Sequence, residues 1–571
     1  MNSDIFAYES SSKNSMNHLI ENPVEKKNIA EINDGNTGNY GPSIIKFDLS
    51  SLYNQNLFID WNSPSSYLAI PIVTHLNLRQ TNNGATTNSH RFQGKEAGDT
   101  IFNNYCLGYK NGSYQLIDNV SLKCGNNALS SGNNNLNILN NFKNLTIYSR
   151  ESLENADIYN FYPDNHDSWS YVALDGVVST STQSNSVLKN NKMTKEKLDK
   201  GLIVDNNNGF FQRTKNLNSN ISGGTIRNNI GSNLINTSTN DQSVDTVEMI
   251  DNYNIVYKNV FYVKLKDISD FFNKVGYSRF YCTMEIQLNI GSCEINYAAG
   301  TTGTALAESN ILSITSSFQK QTCPFMISQL GEGLNIIPAG TATASTLKIT
   351  NGICKVGNGS GGLSSPLSNT TLYVQTVQLK AKYEENLLST KMKQIVFEDF
   401  YQADTLLTVG SSLNYIATNG IANLKYVLIV PFISANHNNK LSPLTSPFTS
   451  EPGTSSPCLN ITGMQLLLAG ERILPSEIKY NSRNYLENFY GCRSINGGRT
   501  DELSNGLINY QMYLNNYRYF YFDVSHLNNT APRAITVVGK NESLVDIQLF
   551  VFAVYDKMVN LDIQSGEIRV Q

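Results

Sequence analysis

The stretch Ser113–Phe161, SYQLIDNVSLKCGNNALSSGNNNLNILNNFKNLTIYSRESLENADIYNF, reads as an apolar strand, an Asn/Gly turn and a helix. A weaker copy of the pattern stands at Cys458–Gly491, CLNITGMQLLLAGERILPSEIKYNSRNYLENFYG. Each copy has a strand, carrying Val120 and Leu122 in the first and Met464, Leu466 and Leu468 in the second. A glycine turn and a segment with aromatic and Leu residues follow. Leu136, Leu139, Phe142, Leu145 and Ile147 fall mostly at three- and four-residue spacing, which predicts a helix with one apolar face. Two copies of one pattern predict a duplicated chain.

The bulk numbers agree. At 571 residues the chain is too long for one hydrophobic core. Charged residues make up only 16%, and Asn, Ser, Thr and Gly take their place, which suits turns and loops. Tyr, Phe and β-branched residues fill the apolar runs, which favours strands. A net charge of -4 offers no basic face to a nucleic-acid duplex. The N-terminal MNSDIFAYESSSKNS lacks a signal-peptide pattern, and no apolar run reaches the 18 or so residues of a membrane helix. The 8 cysteines show no CxxC spacing and are expected to be reduced and structural.

Taken in order, residues 1–40 form a polar N-terminal arm, expected to be disordered or ordered by a partner. Ile45, Phe47 and Leu49 alternate with Lys46 and Asp48, and Tyr67–Val73 is a nearly continuous apolar run. Pro71 inside it predicts a bulge or an edge. Residues 80–112 read as a polar loop, and 164–245 as a long Asn/Ser/Gly-rich insertion with apolar islands at Val172–Val178 and Phe210–Phe211. Val260–Leu265 and Met284–Ile290 alternate as half-buried antiparallel strands. Ser434–Pro457 is a further polar loop.

Four landmarks pair in order: Ile70-Pro71-Ile72 with Val430-Pro431-Phe432, Val120/Leu122 with Met464/Leu466, Asp267-Ile268-Ser269 with Asp523-Val524-Ser525, and Glu285–Leu288 with Asp546–Leu549. The largest drop in spacing between copies, 88 residues, falls between the second and third pairs, the interval that holds the 164–245 insertion. Widely separated strands, long loops and a flanking helix suit a jelly roll better than a meander or propeller. The expected fold is therefore all-β: two tandem jelly-roll β-barrels with short flanking helices and long loops. The expected divisions are an arm at 1–40, a first roll at 41–296, a junction with linking strands at 297–370 and a second roll at 371–571.

Chemistry is hard to find. His18, His75, His90, His166, His437 and His526 lie apart, without HxH or HxxxH spacing. There is no P-loop and no GxSxG. Glu398-Asp399 is the best carboxylate pair, but neighbours on a strand point to opposite faces, so a surface role is expected. Glu384-Glu385 fares no better. Cys124 and Cys458 have no nameable base and read as structural. Tyr517–Phe522, YRYFYF, reads as core plus interface rather than a stacking platform, with both faces covered. Val545–Tyr555, apolar on both faces toward its end, predicts packing against a second domain or subunit. No catalytic, cofactor or metal residues are assigned, and the chain is not expected to be an enzyme.

Several strings carry a resemblance: IIKFDLSSLYNQNLFIDWNSPSSYLAIPIV, SYQLIDNVSLKCGNNAL, VFYVKLKDISDFF and MEIQLNI in the first half, and QIVFEDFYQADTLLTV, NITGMQLLLAGERIL and DIQLFVFAVYDKMVNLDI in the second. Together they resemble the double jelly-roll major capsid proteins of virophages and Polinton-like viruses over residues 40–571. The resemblance implies a structural protein of the virion, made and assembled inside a host cell. It implies a homotrimer of pseudo-hexameric outline that tiles an icosahedral shell with neighbouring capsomers and with minor or penton capsid proteins. Residues 164–245 would form a tower, and 80–112 and 434–457 smaller ones, where a host receptor could bind. The arm would face inward. The rival reading is a two-module β-sandwich protein for carbohydrate binding or surface attachment, which would be expected to carry a signal peptide and paired cysteines.

Overall fold

The computed structural model describes residues 23–35, 44–53, 57–82, 105–164, 209, 213, 246–297, 311–353, 369–434, 444–486, 506–527 and 531–570, with short breaks inside several of these and two short strands at 85–86 and 90–92. Sixteen strands define the fold. The first eight are β1 (Val24–Asn33), β2 (Ile44–Asp48), β3 (Tyr67–Asn82), β4 (Ile117–Cys124), β5 (Asn127–Ala128), β6 (Asn254–Lys264), β7 (Thr283–Leu288) and β8 (Thr371–Leu379). They pair antiparallel in the order β1-β8-β3-β6 in one sheet and β2-β7-β4-β5 in the other. The next eight are β9 (Met392–Leu407), β10 (Ser412–Ile421), β11 (Leu424–Ile433), β12 (Ile461–Leu468), β13 (Glu471–Arg472), β14 (Phe520–Asp523), β15 (Arg533–Asn541) and β16 (Ile547–Asp562). Their order is β9-β16-β11-β14 and β10-β15-β12-β13. Each strand of the second set occupies the place of the strand eight earlier. Two four-stranded sheets with this order are the double Greek key of a jelly roll, so the chain contains two of them.

Several expected boundaries move. Val24–Asn33, placed in the arm, is a full strand zipped to β8 from Val24↔Leu379 to Asn33↔Thr371. Thr371–Leu379, placed in the second roll, therefore closes the first. The stretch 297–370 is not a junction between rolls: strands Gly291–Tyr297, Ile311–Ser316 and Ala344–Ile353 widen the first sheet, and Ala344–Ile353 runs along β3 from Ala344↔Thr81 to Ile353↔Ile72. The loop expected at 80–112 includes the end of β3 and a strand, Tyr105–Tyr109, paired with Phe325–Gln329. Most of 164–245, with both apolar islands, lies outside the described residues.

Two landmark pairs fall on equivalent strands, and the third follows equivalent strands, with Asp267 in a helix just after β6 and Asp523 at the end of β14. The fourth does neither: Glu285–Leu288 belongs to β7, whereas Asp546–Leu549 opens β16, the equivalent of β8. Both are alternating strands of similar apolar content, and the insertion between β7 and β8 carried the true counterpart out of range. Pro71 pairs with Val260, but on its other side β8 stops at Ala69 and the next neighbour begins at Ile72. Pro431 pairs with Leu549, and β14 reaches only Ile429. Each proline stands where one neighbour is missing, so its absent N–H can face that side at no cost to a ladder.

The middle strands of the β9-β16-β11-β14 sheet, β16 and β11, are buried on both faces. Leu549, Val551 and Ala553 of β16 and Val427 and Ile429 of β11 fill the second barrel. Phe550, Phe552, Val554, Tyr426, Leu428 and Val430 point the other way, into a core continuous with that of the first barrel. The first roll's core thus extends onto the outer face of the second roll's sheet while the second barrel keeps its own core, the packing that the two-faced strand near the C-terminus predicts.

Candidate functional site: the seam between the two rolls

The seam is built on helix α1 (Leu136–Ile147), which leaves the first roll after β5. The expected single apolar face is only half of its design. Leu136, Leu139, Phe142 and Leu145 are buried, but so are Asn137, Asn140, Asn141 and Asn144, while Ile147 is exposed. A buried amide needs partners, and each amide nitrogen here has one. Asn137 donates to Gln115 Oε1 at 3.1 Å, and Asn144 to Asp267 Oδ1 at 3.3 Å. Asn141 donates to the carbonyl of Gly453 at 2.7 Å and to the Tyr519 hydroxyl at 3.2 Å, both in the second roll. Its Oδ1 accepts from Asn111 and from the Tyr114 hydroxyl in the first. One side chain therefore bridges both rolls. The missed signal was an Asn stripe at helical spacing with one Lys and no Glu along the helix, unlike a solvated face.

Phe142 supplies the apolar half of the join. Its ring centroid lies 5.1 Å from Tyr519, edge-on, and 6.0 Å from Tyr521. The YRYFYF run is split by strand alternation: Tyr517, Tyr519 and Tyr521 enter the seam core, and Phe520 and Phe522 enter the second barrel. Both faces of the run are covered by protein. At the end of α1, Gly506 lies so close that a Cβ there would stand 2.7 Å from the Thr146 carbonyl oxygen.

Glu398 and Asp399, expected at the surface, are locked into the seam. Glu398 on β9 meets Lys143 of α1 at 2.9 Å and Lys425 of β11 at 2.5 Å. Burial alone would raise its carboxyl, but the two ammonium groups outweigh that and hold it at about 2. Burial likewise works against the charge on Lys143, and Glu398 more than offsets it, raising the group. Asp399 meets Lys557 at 3.4 Å, and burial raises its carboxyl against that pull. Lys557 also donates to the Leu129 carbonyl of the first roll at 2.7 Å. Carboxylates held in this way by lysine ammonium groups read as structural ion pairs.

A cleft of about 810 Å³ opens beside these pairs, lined by Lys143, Lys266, Asp267, Asp270, Glu398 and Lys425 among others. Two short helices, α2 (Leu265–Ile268) and α3 (Asp270–Lys274), form one wall, and Asp270 accepts a hydrogen bond from the Glu398 backbone at 3.0 Å. Asp523 and Ser525, the duplicate counterparts of Asp267 and Ser269, line the same cleft. A second anchor is Arg213, fully buried between the Tyr109 carbonyl at 2.8 Å and Asp164 at 3.0 Å. It pins the long insertion to the first roll.

The remaining candidates do not converge. His75 lies on β3, His90 on the strand His90–Phe92, and His526 is exposed after β14; His18, His166 and His437 lie outside the described residues, as does Cys458. Glu384 and Glu385 sit on the helix Ala381–Ser389. Cys124 is buried in the first core. Among the described residues no group of His, Cys, Asp and Glu is arranged to hold a metal, and no helix is long and apolar enough to cross a membrane.

No protein-family model and no curated protein sequence matches the chain. Solved structures do. A chain of the Sputnik virophage particle is similar over 97% of this chain and 90% of its own, at 10% identity and a TM-score of 0.46. Mavirus major capsid protein is similar over 98% and 93%, at 9% identity and 0.39. Faustovirus major capsid protein is similar over 95% and 92%, at 7% identity and 0.36. At such identities and scores the fold rests on the strand pairings themselves.

Proposed function

We propose that this chain is a major capsid protein, a shell component whose two jelly rolls act as one rigid block. The observation that carries the reading is the seam: two complete barrels joined through one apolar core, a bridging asparagine and buried ion pairs, with the carboxylates used up in holding them. A block of two barrels makes a six-barrelled ring when three copies close around a threefold axis, and closed point groups are the rule for homo-oligomers. The outer side of the second roll supports association with further copies, since Val396, Tyr401 and Leu406 of β9 and Ile416 of β10 are exposed apolar residues on neighbouring elements.

In this reading the trimer is the capsomer, capsomers tile an icosahedral virion, and minor or penton capsid proteins fill the gaps between them. The chain is made and assembled in the host cell and has no catalytic activity. A host receptor binds the outer loops of the capsomer. The test is the mass of the purified full chain in solution, followed by electron microscopy of the particles. Three times the chain mass and a hexagonal outline are expected. A monomer that binds sugars and never assembles overturns the proposal.

A further inference from the structure

Two cysteines of the first roll face each other across adjacent strands. β7 runs beside β4 with Met284 opposite Leu122 and Thr283 opposite Lys123. One step further sets Cys282 opposite Cys124. Lys123 and Thr283 are exposed, so by strand alternation the next pair points inward, and both cysteines are buried in the first core.

Backbone hydrogen bonds fix the kind of pair. The Cys282 carbonyl accepts from the Leu49 N–H at 2.9 Å, on the side of β2, so its backbone turns away from β4. On β4, the Leu122 carbonyl accepts from Leu129 on the far side, and Cys124, two residues on, pairs with Asn127 of β5. Cys124 and Cys282 are therefore a non-hydrogen-bonded antiparallel pair. Such pairs bring Cα atoms to about 4.5 Å and side chains closest, inside the roughly 4.4–6.8 Å that a disulfide spans. Both are free thiols here. The neighbouring Cys282 thiol, together with burial, holds Cys124 above the usual thiol range.

We propose that Cys124 and Cys282 form a latent cross-strand disulfide, open in a reducing cell and closed on exposure to a small oxidising disulfide such as glutathione disulfide. One cysteine thiolate attacks a sulfur of the oxidant and releases one small thiol. The second cysteine then displaces the other small thiol from the mixed disulfide. Two S–H bonds are lost and one S–S bond joins the strands; two electrons and two protons leave with the oxidant as two thiols. The bond ties β4 to β7 and encloses β5, α1 and the whole long insertion, so it fastens the root of the seam. It departs from the expectation that the cysteines are only structural, and it holds whether or not the chain forms shells.

The test uses the full-length protein, folded with reductant and then divided. One half is kept reduced, and the other is incubated with excess glutathione disulfide. Each is denatured, alkylated with iodoacetamide, digested and mapped by mass spectrometry. A linked peptide pair joining Cys124 to Cys282 is expected in the oxidised half alone. Oxidation should also raise the Tm of the wild type by a few degrees and leave C124S and C282S unmoved. Should either variant fail to fold, the wild-type peptide map decides alone. Complete alkylation of both thiols after oxidation, a link to Cys293 or Cys323 instead, or glutathione adducts without the cross-link would overturn the proposal.

Discussion

In the first roll, β3 reaches beyond its barrel and takes Ala344–Ile353 as an added neighbour. In the second, the equivalent β11 pairs among the described residues with β14 and β16 alone. The connection between the last two strands tells the same story: some eighty residues and several strands between β7 and β8, against a tight turn between β15 and β16. The first roll carries its additions in the plane of the sheet. The second gives up a sheet face instead, which the first roll covers. An identical strand order thus supports two different jobs, one barrel elaborated outward and one packed inward. The residues that decide between them sit on α1 and on the outer face of β9-β16-β11-β14.

The sharpest way to break this asymmetry is Phe142→Ala. The ring is fully buried among second-roll tyrosines, so its removal should cost about 3–5 kcal/mol. In a calorimetric scan the single transition should split into two as the rolls uncouple; one unshifted transition would show that Phe142 does not join them.

Glu398→Gln comes next, at about 3 kcal/mol, because it leaves Lys143 and Lys425 facing each other uncompensated in a partly buried site. The pH dependence has a definite sign. The carboxyl is depressed to about 2 in the folded chain and titrates near 4.3 when unfolded. Its contribution is present above ~4.3 and is lost as the pH falls toward 2. Wild type should therefore lose stability over that window more steeply than the variant in denaturant titrations, and parallel curves would remove Glu398 from the account.

Gly506→Ala should cost about 1–3 kcal/mol, since Gly506 has a positive φ of 68° and its Cβ would press on the end of α1. A matched Gly410→Ala, at a positive φ with open space around it, separates the backbone strain from the clash. The smallest effect belongs to the outer face of the first roll. Lys46→Ala removes an exposed pair with Glu285 at 2.8 Å and should change stability by only ~0.5 kcal/mol. A large loss there would mean that this face, too, is covered.

Much of the architecture was legible because buried strands advertise themselves. Tyr426–Ile433 and Leu549–Val554 are apolar on both faces, which a strand at a barrel surface cannot be, and the structure sets them between two cores. β1 was missed for the converse reason. As an edge strand it leaves most of its residues exposed, and only Ile32 is buried among its apolar residues, so VEKKNIAEIN shows no alternation and looks like an arm. The seam was half legible. Leu and Phe spacing gave the helix, but the buried asparagines of α1 looked like a wet face, because an amide reads the same whether water or a partner loop satisfies it. Glu398 and Asp399 read as surface residues because strand neighbours point to opposite faces, whereas their lysine partners come from other elements, Lys143 from α1, Lys425 from β11 and Lys557 from β16.

The pairing of β1 with β8 also has a consequence for synthesis. Val24 meets Leu379, so the first strand leaves the ribosome long before its partner exists. At roughly 5–20 residues per second, some 340 residues take on the order of 20–70 s. Until then the nascent sheet lacks its closing strand, and β1 waits as unclaimed backbone beside other growing chains. Lys26 and Lys27, exposed on that strand, place charge where a stray strand would dock, keeping the vacancy open for the segment encoded last in the barrel.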